Sequence, residues 1–128
     1  MEAVAIITVL ALLQFYWFGF EVGKMRVKHQ CKAPAITGAP EFERMFRVQQ
    51  NTMEQLVMFI PALWLYAELV NPLWGVGMGM IYLVGRFIYR VSYVKDPATR
   101  SAGFTISSLP IAVMLFWVLV DAGMKIAA

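Results

Sequence analysis

Residues Glu41–Ala67 read EFERMFRVQQNTMEQLVMFIPALWLYA, and the two halves of this stretch require different surroundings. From Leu56 to Ala67 it is an apolar helix of membrane type, yet its first half carries Glu43, Arg44, Arg47, Asn51, Glu54 and Gln55 into the same helix. Arg44, Arg47, Asn51 and Glu54 follow one another three or four residues apart, which on a helix of 3.6 residues per turn forms one stripe. An ionisable side chain at the bilayer centre costs about 3 kcal/mol or more, so such a stripe faces protein, water or a ligand. A binding site is one reading. An amphipathic run that stands in water before the helix enters the membrane is the other.

The composition around this stretch sets the class. Of the 128 residues, 60% are hydrophobic and 15% charged, with a mean hydropathy of +0.65. Soluble domains are about half apolar and a quarter charged, so the chain reads as a single integral membrane domain. Four spans are expected, over about residues 3–23, 41–70, 73–95 and 103–121. The run Ala3–Phe20 is long, lacks a basic region before it and is followed by positive charge, which makes it a span rather than a cleaved signal. Lys24 to Pro40 reads as the one long hydrophilic connection, broken by Pro34, Thr37, Gly38 and Pro40. Glu41 and Glu43 then complement the dipole of a helix N-terminus, Pro61 predicts a kink, and Asn71-Pro72 a tight turn. Gly75, Gly77, Gly79 and Gly85 allow close helix approach in the third span.

The charge of +3 matters through its distribution. Lys24, Arg26, Lys28, Lys32, Arg44 and Arg47 flank the first connection, Arg86, Arg90, Lys95 and Arg100 flank the third, and only Lys125 remains for the other side. The positive-inside rule then puts both of those connections in the cytoplasm and both termini on the opposite side. Orientation accounts for the basic balance, and no nucleic-acid partner is called for. One cysteine, Cys31, and one histidine, His29, exclude an internal disulfide framework and leave a metal site without partner ligands. Glu21, one turn before Lys24, reads as a solvated ion pair at the membrane edge or as a proton-coupling carboxylate. Arg86, Tyr89 and Tyr93 form a second stripe, on the third span. Boundary tyrosines are commonly belt residues, but two polar cytoplasmic half-helices also suggest that their stripes meet.

The run GAPEFERMFRVQQNTMEQ, the pair Tyr89 and Tyr93 in GRFIYRVSY, and Arg100 together resemble the MAPEG family, the membrane-associated proteins of eicosanoid and glutathione metabolism. The resemblance extends from the first span through Arg100, and its core is Glu-Arg-x-x-Arg-x-x-x-Asn-x-x-Glu at positions 43 to 54. It implies an all-α four-helix membrane bundle assembled as a homotrimer, with glutathione as co-substrate held between adjacent subunits near the cytosolic face. By motif position, Arg47 would contact a glutathione carboxylate, Asn51 and Glu54 would hold the polar backbone and amino group, Tyr89 and Tyr93 would line the pocket, and Arg100 would stand beside the sulfur. Arg26 and Gln49 match further ligand contacts. Gln55 departs from the tyrosine of the leukotriene-forming members and Val27 from a second arginine, which weakens a leukotriene reading without touching the glutathione set.

The chemistry of the residues agrees. Glutathione carries two carboxylates and one ammonium, so its pocket wants guanidiniums for bidentate pairing and one acid for the amine. A thiol of pKa about 8.5 is a poor nucleophile at neutral pH until a nearby cation favours the thiolate, the part Arg100 would take. The expected function is a membrane-bound glutathione transferase, with peroxidase activity on lipid hydroperoxides, attacking lipophilic electrophiles that enter from the lipid. Two alternatives stand beside it: a non-catalytic lipid-binding member of the same family, and a small four-helix proton-coupled exporter.

Overall fold

A computed structural model describes residues 1–128 as four long helices and one short turn of 3-10 helix, without strands. Helix α1 spans Glu2–His29, α2 Pro40–Leu69, α3 Pro72–Lys95 and α4 Ser101–Ala127, with the 3-10 turn at Pro97–Thr99. The fold is an all-α membrane bundle. Helices α1 and α4 have mean hydropathies of 2.0 and 2.1 over their most apolar windows. Large apolar side chains such as Leu13, Leu73 and Leu119 stand exposed on the outer surface, as lipid contact requires.

The first connection is shorter than its sequence suggests. Helix α1 continues through Lys24–His29 and stops at Gln30, which takes the left-handed conformation at φ 55° while the Cys31 N–H bonds back to the Arg26 carbonyl at 2.9 Å. Lys, Met and Arg are good helix formers, and no proline intervenes before Pro34, so charge alone does not end the helix. Its 28 residues extend about 42 Å, beyond the ~30 Å of hydrocarbon. Arg26 then folds the connection over itself, donating to the carbonyls of Cys31 (3.2 Å) and Ala35 (2.7 Å) and lying 4.8 Å over the Phe42 ring.

Pro40 opens α2 at its first position, where the missing N–H costs nothing, and the helix runs unbroken through Pro61. Asn71 does more than turn the chain. Its Oδ1 accepts from the Leu73 and Trp74 N–H groups at 2.9 and 3.1 Å, capping α3. Arg44, the first member of the α2 stripe, donates to the carbonyls of Val94 and Lys95 at 3.3 and 3.2 Å, tying α2 to the end of α3. Glu21 pairs across the bundle with Arg90 at 3.0 Å as well as with Lys24 at 3.5 Å.

Two apolar clusters make the core. One joins Val4, Ile7 and Ala11 to Phe59, Leu63, Tyr82, Ile111 and Met114, and the other joins Phe18 and Val22 to Phe42, Met45, Val48 and Tyr89. Between them along the helices lies a buried polar layer. Gln14 falls between Ala11 and Phe18, Thr52 and Gln55 between Val48 and Leu56, and Arg86 between Tyr82 and Tyr89, with Ser107 supplied by α4. Close backbone approach seats α4 on α3. A methyl group on Gly85 would meet the Ser107 nitrogen at 2.5 Å, and one on Gly103 would overlap the Tyr89 backbone. Gly79 abuts Ile7 in the same way, whereas Gly77 faces open space.

Candidate functional site

The expected site residues divide into two groups. Arg47 and Tyr93 line a cavity of about 350 Å³ with Glu43, Arg44 and Thr37. Asn51, Tyr89 and Arg100 line a second, of about 380 Å³, with Ser101 and Thr105. The Tyr89 and Tyr93 rings bridge the two at a centroid separation of 5.4 Å. The α2 and α3 stripes therefore meet, and α4 contributes its first turn. Glu54 follows Asn51 on the same stripe, exposed and without an ion-pair partner in the protomer.

Gln49 and Arg26 lie elsewhere. Gln49 is two residues from both Arg47 and Asn51, about 200° away around the helix, and it lines a groove of about 780 Å³ with Phe15, Gly19, Lys24 and Lys28 of α1. Arg26 lines a further cavity beside Cys31 and Lys32. One protomer does not bring these two residues to Arg47, Asn51 and Arg100.

Arg47 and Arg100 are exposed, and the only side-chain hydrogen bond between them is from Arg100 to the Pro97 carbonyl at 2.9 Å. Both guanidiniums keep most of their donors free for an anion. Arg86 is the reverse: fully buried, it donates to Asn51 Oδ1 and Thr52 Oγ1 at 2.8 Å each and to Ser107 Oγ at 3.2 Å, and lies 4.3 Å over the Tyr89 ring. It is not one of the flanking cations of the third connection, among which its charge had placed it. Nine residues of helix separate it from Lys95, about 13 Å of rise, and that depth was the available signal. Thr52 and Ser107 carried no signal of their own, since hydroxyls are common in membrane helices. Gln55 is also buried, its Oε1 accepting from Ser108 Oγ at 3.3 Å.

Arginines, an amide and tyrosines thus stand together at one end of a four-helix bundle. The sequence profile of the MAPEG family matches residues 4–120. The chain belongs to the MAPEG family. Among MAPEG relatives, human microsomal glutathione S-transferase 2 is 38% identical over 103 residues, which is 80% of this chain and 70% of that protein. Leukotriene C4 synthase of Cavia porcellus is 32% identical over 98 residues, 77% of this chain and 65% of that protein. An uncharacterized Synechocystis protein is 40% identical over 105 residues, 82% of this chain and 77% of its own length. No cluster of three or more metal-ligating side chains occurs in this MAPEG chain.

Proposed function

We propose that this MAPEG protein is a membrane-bound glutathione transferase, with glutathione peroxidase activity toward lipid hydroperoxides. The observation that carries the reading is the pair of adjoining cavities that gather Arg47, Tyr93, Tyr89, Asn51 and Arg100 on one side of the protomer. Arg47 pairs with a glutathione carboxylate, Glu54 takes the ammonium, the two tyrosines line the peptide, and Arg100 stands beside the sulfur and favours the thiolate. The thiolate forms a carbon–sulfur bond to the electrophile as the leaving group departs with its electron pair. With a hydroperoxide, the thiolate bonds to the distal oxygen as the oxygen–oxygen bond breaks, leaving the sulfenic acid, and the departing alkoxide takes a proton from water to become the alcohol. A second glutathione then displaces hydroxide from the sulfenic acid, giving the disulfide and water.

The division of the residues supports an assembly of several copies, in keeping with the homotrimer that the family resemblance implies. Gln49 and Arg26 look out from the α1 side, so a second copy is needed to set them against Arg47, Asn51 and Arg100. Glu54, exposed in the protomer, also needs cover from lipid. The connections 30–39 and 96–100, flanked by the cations of the adjoining helix ends, are assigned to the cytoplasm and the termini to the opposite side. A proton-coupled exporter is the weaker reading, because Glu21 is occupied by Arg90 and Lys24. The experiment is conjugation of glutathione to an aryl halide by purified protein in detergent, with a binding isotherm for glutathione. Turnover above the buffer rate with saturable binding supports the proposal; absence of both removes it.

A further inference from the structure

We propose that Arg86 is a positioning residue: it fixes the amide of Asn51 so that this side chain offers only N–H donors to the cavity, and thereby sets Asn51 against a carboxylate of the bound ligand. The inference rests on the glutathione reading above and assigns Asn51 to the acid end of the tripeptide rather than to its ammonium.

The argument begins with burial. Arg86 is 0% exposed, and no acid lies within ion-pair distance of it. A guanidinium taken out of water without a counter-ion depends on acceptors for its donors, and here both terminal nitrogens have them while the buried Nε has none. Its three partners are neutral, and two of them have their own hydrogens engaged. Thr52 Oγ1 donates to the Val48 carbonyl at 2.8 Å, and Ser107 Oγ to that of Gly103 at 3.0 Å, so both turn lone pairs toward Arg86. The third partner is Asn51 Oδ1.

A guanidinium has five donors and no acceptor, so the Asn51 atom facing it must be the oxygen. The nitrogen, with both hydrogens, makes no hydrogen bond within the protomer, and Asn51 lines the cavity with Tyr89 and Arg100, where that nitrogen would offer its donors. An amide held this way attracts a carboxylate and repels an ammonium. Arg86 also carries the Tyr89 ring against its guanidinium, so one buried cation orients two of the cavity's walls.

The test uses the full-length protein in detergent, with glutathione Kd and thermal unfolding read on each variant. Asn51→Asp leaves an acceptor for Arg86, so the fold holds, but presents no donor to the cavity. The expected result is at least a tenfold weaker Kd with an unfolding temperature at or above that of the parent. In an Arg86→Gln background, with Asn51 intact, the amide is no longer forced one way, and the Kd for glutathione should rise at least threefold. Arg86→Lys, which keeps a donor, should restore most of the lost affinity. Glutathione binding by Asn51→Asp equal to the parent's overturns the inference even if Arg86→Gln fails to fold. So does an Arg86→Gln protein that folds and binds glutathione as tightly as the parent. Absence of binding by the parent protein is a separate outcome, which removes the glutathione reading and this inference with it.

Discussion

Gly103 lies so close to Tyr89 that a single methyl group on it would overlap the Tyr89 backbone. Helix α4 is thereby seated on α3 where Tyr89 enters the cavity, and one residue type is demanded for a steric reason. Gly103→Ala should force the helices apart, at a cost of about 1–3 kcal/mol, and should weaken glutathione binding because Tyr89 and Ser107 shift together. Thermal unfolding in detergent and a glutathione isotherm check this. An unfolding temperature equal to the parent's would show that the contact relaxes freely.

Thr52→Val keeps the shape of a buried side chain but removes an acceptor from Arg86. The guanidinium then loses one of its three hydrogen-bonded neighbours, in a position that water does not reach. Leaving a buried donor unmet costs about 1–3 kcal/mol, more where it is charged. Stability should fall by about that amount, whereas the same replacement at the exposed Thr99 should cost much less; chemical unfolding of the two variants decides.

The burial of Arg86 shows where sequence reading stops. Helix periodicity is a local property of the backbone, so the spacing of Arg47, Asn51 and Glu54 and that of Tyr89 and Tyr93 already implied two stripes. Which charges those stripes bury depends on how α3 and α4 pack, and that is settled by Gly85 and Gly103 together, the second of which stands at the expected start of the fourth span with no motif to mark it. Arg44 sits on the legible stripe yet caps α3, because carbonyls at a helix end have no sequence signature. Lys24 to His29 read as loop because they are charged, although their backbone preferences are helical.

Glu41 accepts from Lys28 at 2.9 Å and pairs with His29 at 2.8 Å, clasping the end of α1 to the first, polar turn of α2. The hydrogen bond from Lys28, followed by that from His29, holds the Glu41 carboxyl below its ordinary value of 4.5. A carboxyl with a depressed folded-state pKa contributes stability above its unfolded value, and that contribution is lost as pH falls through the folded one. Glu41→Gln should therefore lower the unfolding temperature slightly at neutral pH, with the difference from the parent closing below about pH 4.5 and shrinking in high salt. A difference that persists at pH 3 would mean that the clasp does not act through this charge.

Arg47 and Arg100 line neighbouring cavities but should fail differently. Arg47→Ala removes a carboxylate partner present in ground and transition states alike, so KM for glutathione should rise about tenfold or more with kcat little changed. Arg100→Ala should lower kcat while the Kd for glutathione changes much less, since Arg47, Asn51 and Glu54 still hold the peptide. Initial rates over a glutathione series separate the two patterns; identical ones would collapse the distinction between holding the tripeptide and activating its sulfur.

The measurement closest to the central claim is the ultraviolet thiolate absorbance of bound glutathione, titrated against pH in the parent protein, Arg100→Lys and Arg100→Ala. The free thiol ionises at about pH 8.5, and each unit of depression is worth about 1.4 kcal/mol in the thiolate equilibrium. With the parent, the absorbance should titrate well below the free thiol. Arg100→Ala should return it upward, a two-unit return cutting the ratio of thiolate to thiol roughly a hundredfold, and Arg100→Lys should fall between because a point charge survives. Superimposable titrations for the three proteins would contradict the account and leave Arg100 as one more cation flanking the third connection.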